Sequence, residues 1–192
     1  MITSRGVPRR WAGGFTLVEL LVATAVSGIV LTGVLTASLQ ITRGGMRLAN
    51  YGEMDNQIRR ALEQFGGEAR LASDLAWNSA GDVTLSVPDV NGSVSAVTYA
   101  WSAASQTFFR VPGASSAATT GLTVLVRDLP TPAAGGTGVI FERLDRAGAA
   151  VNTNAAAKFL RVSFTLSRSG SSGLTTTQRA TGVFALRNKP TS

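Results

Sequence analysis

The chain has 192 residues, a formal net charge of +7, 15% charged and 44% apolar side chains, and neither cysteine nor histidine. That length holds one globular core with an appended segment rather than two large domains. Without Cys or His there is no disulfide framework, no thiolate metal site, and neither the commonest metal ligand nor the commonest general base, which argues against an enzyme.

Arg5, Arg9 and Arg10 precede the first apolar run. Without them 18 − 3 = 15 Lys+Arg stand against 11 Asp+Glu, a net +4. The remaining cations are dispersed and not interleaved with aromatics, which reads as a solvated surface rather than a nucleic-acid footprint.

Phe15 to Leu39, "FTLVELLVATAVSGIVLTGVLTASL", spans about 25 residues and as a helix rises roughly 37 Å, enough to cross a hydrocarbon core of about 30 Å. With Arg5, Arg9 and Arg10 ahead of it, the N-terminus stays cytoplasmic and the rest is exported, so a single-pass membrane protein is expected. Three readings of this segment compete. A secretory signal cut at "ATA", Ala23 to Ala25, leaves "SGIVLTGVL" at the new terminus and places Glu19 inside the apolar region. A plain anchor explains the length but not Glu19, an acid that costs roughly 2–3 kcal/mol on insertion scales and in such places faces a partner.

The third reading rests on "GGFTLVELLVA", Gly13 to Ala23: a cationic leader ending in Gly14, then Phe15, then Glu19 five places after that glycine, then an uninterrupted apolar stretch. This resembles the class III signal of type IV prepilins and type II secretion pseudopilins, with no departure inside the matched window. The resemblance implies that prepilin peptidase cuts between Gly14 and Phe15 and methylates the Phe15 amine, making residues 1–14 a cleaved leader. It also implies docking of Glu19 against the Phe15 amine of a neighbouring pilin or pseudopilin, with an inner-membrane assembly platform and a separate cytoplasmic ATPase driving growth. The subunit would sit in the inner membrane with its head in the periplasm, and afterwards in a pilus, a pseudopilus or at the cell surface. At low dielectric either charge alone is costly, so such a pair selects axial register more than it adds stability.

Residues 40–76 continue as an amphipathic helix, with Ile41, Leu48, Tyr51, Met54, Ile58, Leu62, Phe65, Ala69 and Ala72 at helical spacing and Asp55 with Arg59 as an i,i+4 pair. One helix from Phe15 to about Leu75 would measure roughly 90 Å. Glycines 28, 33, 44, 45, 66 and 67 predict bends or local melting, at about 0.8–1 kcal/mol each relative to Ala; Gly28 and Gly33 read equally as close helix packing or as a flexible point. "SDLAWNSAGD" closes the helical pattern. Trp11 belongs to the leader, while Trp77 at the helix exit and Trp101 in a strand are expected to pack helix to sheet.

Residues 77–192 form a β-rich head. "DVTLSV", Pro88 with Asn91 and Gly92, and "SVSAVTYAW" make a hairpin; "QTFFRV", "GLTVLVRDL", "GVIFERL", "KFLRVSFTLSR" and "TGVFALRN" supply further strands, with "PGASSAATTG", "PTPAAGGTG" and "RSGSSGLTT" as loops. One antiparallel sheet over the outer part of the helix covers both apolar faces, an α+β arrangement that matches the pilin fold. The order of "VTYAWSAASQTFFRV", "GVIFERLDRAG", "KFLRVSFTLSRSG" and "GVFALRN" resembles the minor pseudopilin J of type II secretion and PilW-like minor pilins. Many major pilins carry a C-terminal disulfide that this chain cannot form, which favours a minor or pseudopilin subunit.

Neither a P-loop nor GxSxG is present, and "GGTG", Gly135 to Gly138, reads as a connection rather than a phosphate cradle. Glu142 and Asp145 could serve as acid and base or bind calcium, but such a pair reads first as a solvated face or as partners of Arg143 or Arg146. No catalytic residue, cofactor or metal is assigned. The expected role is a structural pilin or pseudopilin subunit. The alternatives are a tip pilin whose basic head binds DNA for uptake in competence or a surface for adhesion, and an anchored protein that does not polymerise.

Overall fold

The computed structural model describes residues 14–118, 120–131, 138–169 and 175–190. One helix, α1 (Leu17–Leu71), precedes eight strands: β1 (Asp74–Ser79), β2 (Asp82–Pro88), β3 (Val94–Ser102), β4 (Thr107–Pro112), β5 (Thr123–Val126), β6 (Val139–Leu144), β7 (Phe159–Ser169) and β8 (Thr175–Ala185). All pairings are antiparallel, and the fold is α+β as expected. The chain divides into two units, Met1–Gly45 and Met46–Ser192.

In the first unit the described residues are helical from Leu17, and their side chains are exposed. Their hydroxyls turn back on the helix: Thr32 donates to the Gly28 carbonyl at 2.8 Å, Thr36 to Thr32 at 2.8 Å and Thr42 to Ser38 at 3.0 Å. The hydrogens of these three hydroxyls are thereby satisfied inside the segment, as they would have to be in an apolar surrounding. α1 runs unbroken through all six of the glycines at which bends or melting were expected.

In the second unit Met54, Ile58, Ala61, Phe65 and Ala69 form the buried stripe of α1. Phe65 is the hub of that stripe, with ring centroids 4.9 Å from Tyr99 in β3, 5.6 Å from Phe141 in β6 and 5.5 Å from Phe184 in β8. One side chain thus touches strands from both ends of the head. A polar pin lies alongside: Glu68 accepts from the Tyr99 hydroxyl at 2.8 Å and from Arg110 Nε at 2.9 Å. Burial, and then the Glu68 carboxylate, push the Tyr99 hydroxyl well above the ordinary phenol range.

The strands form two sheets where a single one was expected: β1-β2-β3-β4-β5 in that order, and β6-β7-β8. After β5 the backbone turns through Asp128, with φ at 61°, and meets Pro130, which has no N–H to donate, so β5 ends after four residues. Single backbone bonds tie the two sheets together, from Phe141 N to the Ala80 carbonyl at 2.7 Å and from Ser167 N to the Asp128 carbonyl at 2.9 Å.

The helical span expected to residue 76 stops at Leu71, and residues 74–79 pair with β2 as an edge strand. Leu75 continues the three- and four-residue spacing of Phe65, Ala69 and Ala72, so the helical template fits there. Pairing with Leu85 and Thr84 outweighs that local preference. The hairpin at Asn91 and Gly92 is present as a five-residue loop, closed by Asp89 N on the Ser93 carbonyl at 2.7 Å, with Gly92 at φ 77°.

Gly66 and Gly67 are adjacent on α1 but face different surroundings. A Cβ on Gly66 would lie 2.3 Å from the Phe184 ring, whereas one on Gly67 meets nothing within 4 Å. Ala favours a helix interior over Gly by about 0.8–1 kcal/mol. Gly67→Ala is therefore expected to stabilise the head by up to about 1 kcal/mol, and Gly66→Ala to destabilise it despite the better propensity. Denaturant melts of the detergent-solubilised chain check the opposite signs.

Candidate functional site

The site begins at the start of α1. Gly14, Phe15 and Thr16 lie outside the helix and are exposed, Phe15 at 90%. Glu19 sits in the first helical turn. Thr16 and Glu19 make three reciprocal hydrogen bonds. Thr16 N donates to Glu19 Oε2 at 2.8 Å, the Thr16 hydroxyl donates to the same oxygen at 2.9 Å, and Glu19 N donates to the Thr16 hydroxyl at 3.2 Å. This is a capping box, in which the N-cap hydroxyl and the acid three residues on satisfy donors that the helix leaves open. The carboxylate also lies at the positive end of the helix dipole.

Thr16, which caps the helix and holds Glu19, is the residue of this site that sequence reasoning missed. Its signal, Thr-x-x-Glu ahead of an apolar run, is present as "TLVE" but overlaps the leader motif. Both bonds to Glu19 end on Oε2, and Oε1 accepts none within the described residues. Glu19 is thus held at the start of the helix with one oxygen open to an outside donor.

Arg5, Arg9, Arg10, Trp11 and Gly13 lie outside the described residues, as do most of "GGTG" and of the "RSGSSGLTT" loop, although Thr175 and Thr176 of the latter belong to β8. Glu142 pairs with Arg161 across β6 and β7 at 2.7 Å, rather than with Arg143 or Arg146. Asp145 instead caps its own turn, accepting from Ala147 N at 2.8 Å and Ala149 N at 2.9 Å. Among the described residues no three carboxylates come together. Trp77 stands in β1 rather than at a helix exit, with the Arg143 guanidinium 4.3 Å from its ring centroid. Trp101 packs against the main core and donates from Nε1 to the Leu129 carbonyl at 3.2 Å.

Residues 12–35 match the family model of the prokaryotic N-terminal methylation motif. No curated protein and no solved structure matches the chain. The motif match covers Gly14, Phe15, Thr16 and Glu19 together with the apolar start of α1, and it supports the type IV pilin class. α1 is long and apolar enough in this part to cross a membrane. Membrane anchoring fits both observations.

Replacing an N-cap Thr costs about 1 kcal/mol of helix stability. Thr16→Val is expected to fray the first turn, so that amide exchange at residues 17–20 in micelles quickens by about fivefold, the equivalent of that loss. Exchange equal to that of the unchanged chain would show that the box contributes nothing to the helix start.

Proposed function

We propose that the chain is a structural subunit of a type IV pilus or a type II secretion pseudopilus, made as a precursor, cut by prepilin peptidase between Gly14 and Phe15 and methylated on Phe15. The observation that carries this reading is the methylation-motif match placed directly at the start of α1. The cut exposes an amine two residues before the helix, on a segment whose large apolar side chains are uncovered. Such a segment rests in a bilayer with the head in the periplasm until the assembly platform extracts it, and then in the shared apolar core of a filament. The subunit catalyses nothing itself.

Glu19 serves as the docking acid. Before cutting, Phe15 N is an uncharged amide; afterwards the cationic Phe15 amine of a neighbouring subunit can reach the open Oε1, while Thr16 holds Oε2. Leaving either charge alone in low dielectric is costly, so a subunit out of register is rejected. Absence of cysteine, and with it of the disulfide of many major pilins, supports a minor subunit of the pseudopilin J or PilW-like kind.

Glu19→Ala is expected to be cut and membrane-inserted as the unchanged chain is, yet to enter filaments about tenfold less, corresponding to about 1.4 kcal/mol of docking energy. Fractionation and immunoblotting of sheared filaments give the comparison; incorporation at the level of the unchanged chain would remove Glu19 from the docking role.

A further inference from the structure

Asn91 and Gly92 mark the hairpin between β2 and β3, but the turn does not need the asparagine. Asp89 and Gly92 hold it: Gly92 N donates to the Asp89 carbonyl at 2.9 Å, Asp89 N to the Ser93 carbonyl at 2.7 Å, and Val90 N to Asp89 Oδ1 at 2.7 Å. Asp at the first place of such a turn and Gly at the fourth are the residues it calls for. Asparagine is favoured in hairpin turns where φ is positive, and here that conformation belongs to Gly92, at 77°. Among the described non-glycine residues only Gln106 and Asp128 share it.

No contact of the Asn91 side chain holds the head together either. The side-chain bonds around the tip are made by Asp89 and Ser95, and the Asn91 carboxamide and the Ser93 hydroxyl take part in none among the described residues. Residues 89–95 are all exposed, Val90 at 95%, and a Cβ on Gly92 would meet nothing within 4 Å. A free carboxamide thus stands at the open end of a hairpin. Of the seven asparagines in the sequence, Asn91 alone has Ser or Thr two places on, with Gly92 rather than Pro between. Asn-x-Ser is the acceptor pattern for an N-linked glycan, and its use requires a surface loop on an exported chain.

We propose that Asn91 is a glycosylation site, with Ser93 as the residue that marks it. The inference rests on the export of the head proposed above, where the anchor confines the chain to a bilayer that can hold a lipid-linked sugar donor. Asn91 Nδ2 forms a bond to the anomeric carbon of the donor sugar. The bond from that carbon to the lipid carrier's diphosphate breaks, its electron pair leaves on the diphosphate oxygen, and one Nδ2 proton passes to a base of the membrane-bound glycan transferase. The attached group is bulky and hydrated, and it covers Val90.

The test isolates the full chain from membranes of the cells that make it. Peptide 71–110, which trypsin releases between Arg70 and Arg110, is then analysed by mass spectrometry with fragmentation that keeps sugars attached. The expected peptide carries a glycan on Asn91. The glycan is lost in Asn91→Gln and in Ser93→Ala, which keeps both the carboxamide and the backbone carbonyl that closes the turn, and it is retained in Ser93→Thr. Four results overturn the site: an unmodified Asn91, its conversion to aspartate alone by deamidation, sugar carried only on Ser or Thr, or a glycan that survives Ser93→Ala. Protease added to cells stripped of their outer layers separates the two proposals. A head that is digested while Asn91 is bare overturns the glycosylation site alone, whereas a protected head overturns export, and this inference with it.

Discussion

An apolar helix face has to stand against something, and α1 meets that requirement in two ways along its length. Between Met54 and Ala69 the stripe is covered by Tyr99, Phe141 and Phe184, which come from both sheets. Between Leu17 and Leu39 the large apolar side chains, Leu20, Ile29 and Leu35 among them, are exposed. Each such side chain gains about 1.5–3 kcal/mol on leaving water, so a row of them is sustainable only in lipid or among other helices. The head, the anchor and the proposed polymer all follow from that change of cover along one helix.

Charge is handled with the same economy. The head carries few acids, and several of them hold it together: Glu68 pins α1 to β3 and β4 through Tyr99 and Arg110, and Arg168 gathers Glu53 and Asp128. Half-exposed ion pairs of this kind contribute modestly to stability. At the other end Glu19 is held by Thr16 rather than left bare, which reconciles an acid within an apolar segment with a stable helix start.

Local features were legible in the sequence. Helical spacing from Met54 to Ala69, alternation in β2, β3 and β7, the Asn91-Gly92 turn and the Asp55–Arg59 pair, at 2.9 Å, all rest on neighbours within a few residues. What escaped depends on distant partners or on competing patterns. β1 carries a spacing that suits a helix and becomes a strand only because β2 lies beside it. The division into two sheets follows from the backbone at Asp128 and Pro130, and Arg168 meets Glu53 across 115 residues of sequence. At the site, Gly14, Phe15 and Glu19 were legible as a motif, whereas Thr16 was hidden because one short stretch encodes both a leader junction and a helix cap.

The proposed processing and docking both require a new amine at Phe15, two residues ahead of α1. Intact-mass and N-terminal sequence determination on the protein recovered from its native membrane decide whether that amine is made. Cutting after Gly14 predicts a chain that starts at Phe15 and carries one added methyl group on its amine. A chain that keeps residues 1–14, or that starts after Ala25, would contradict both the processing and the docking role of Glu19.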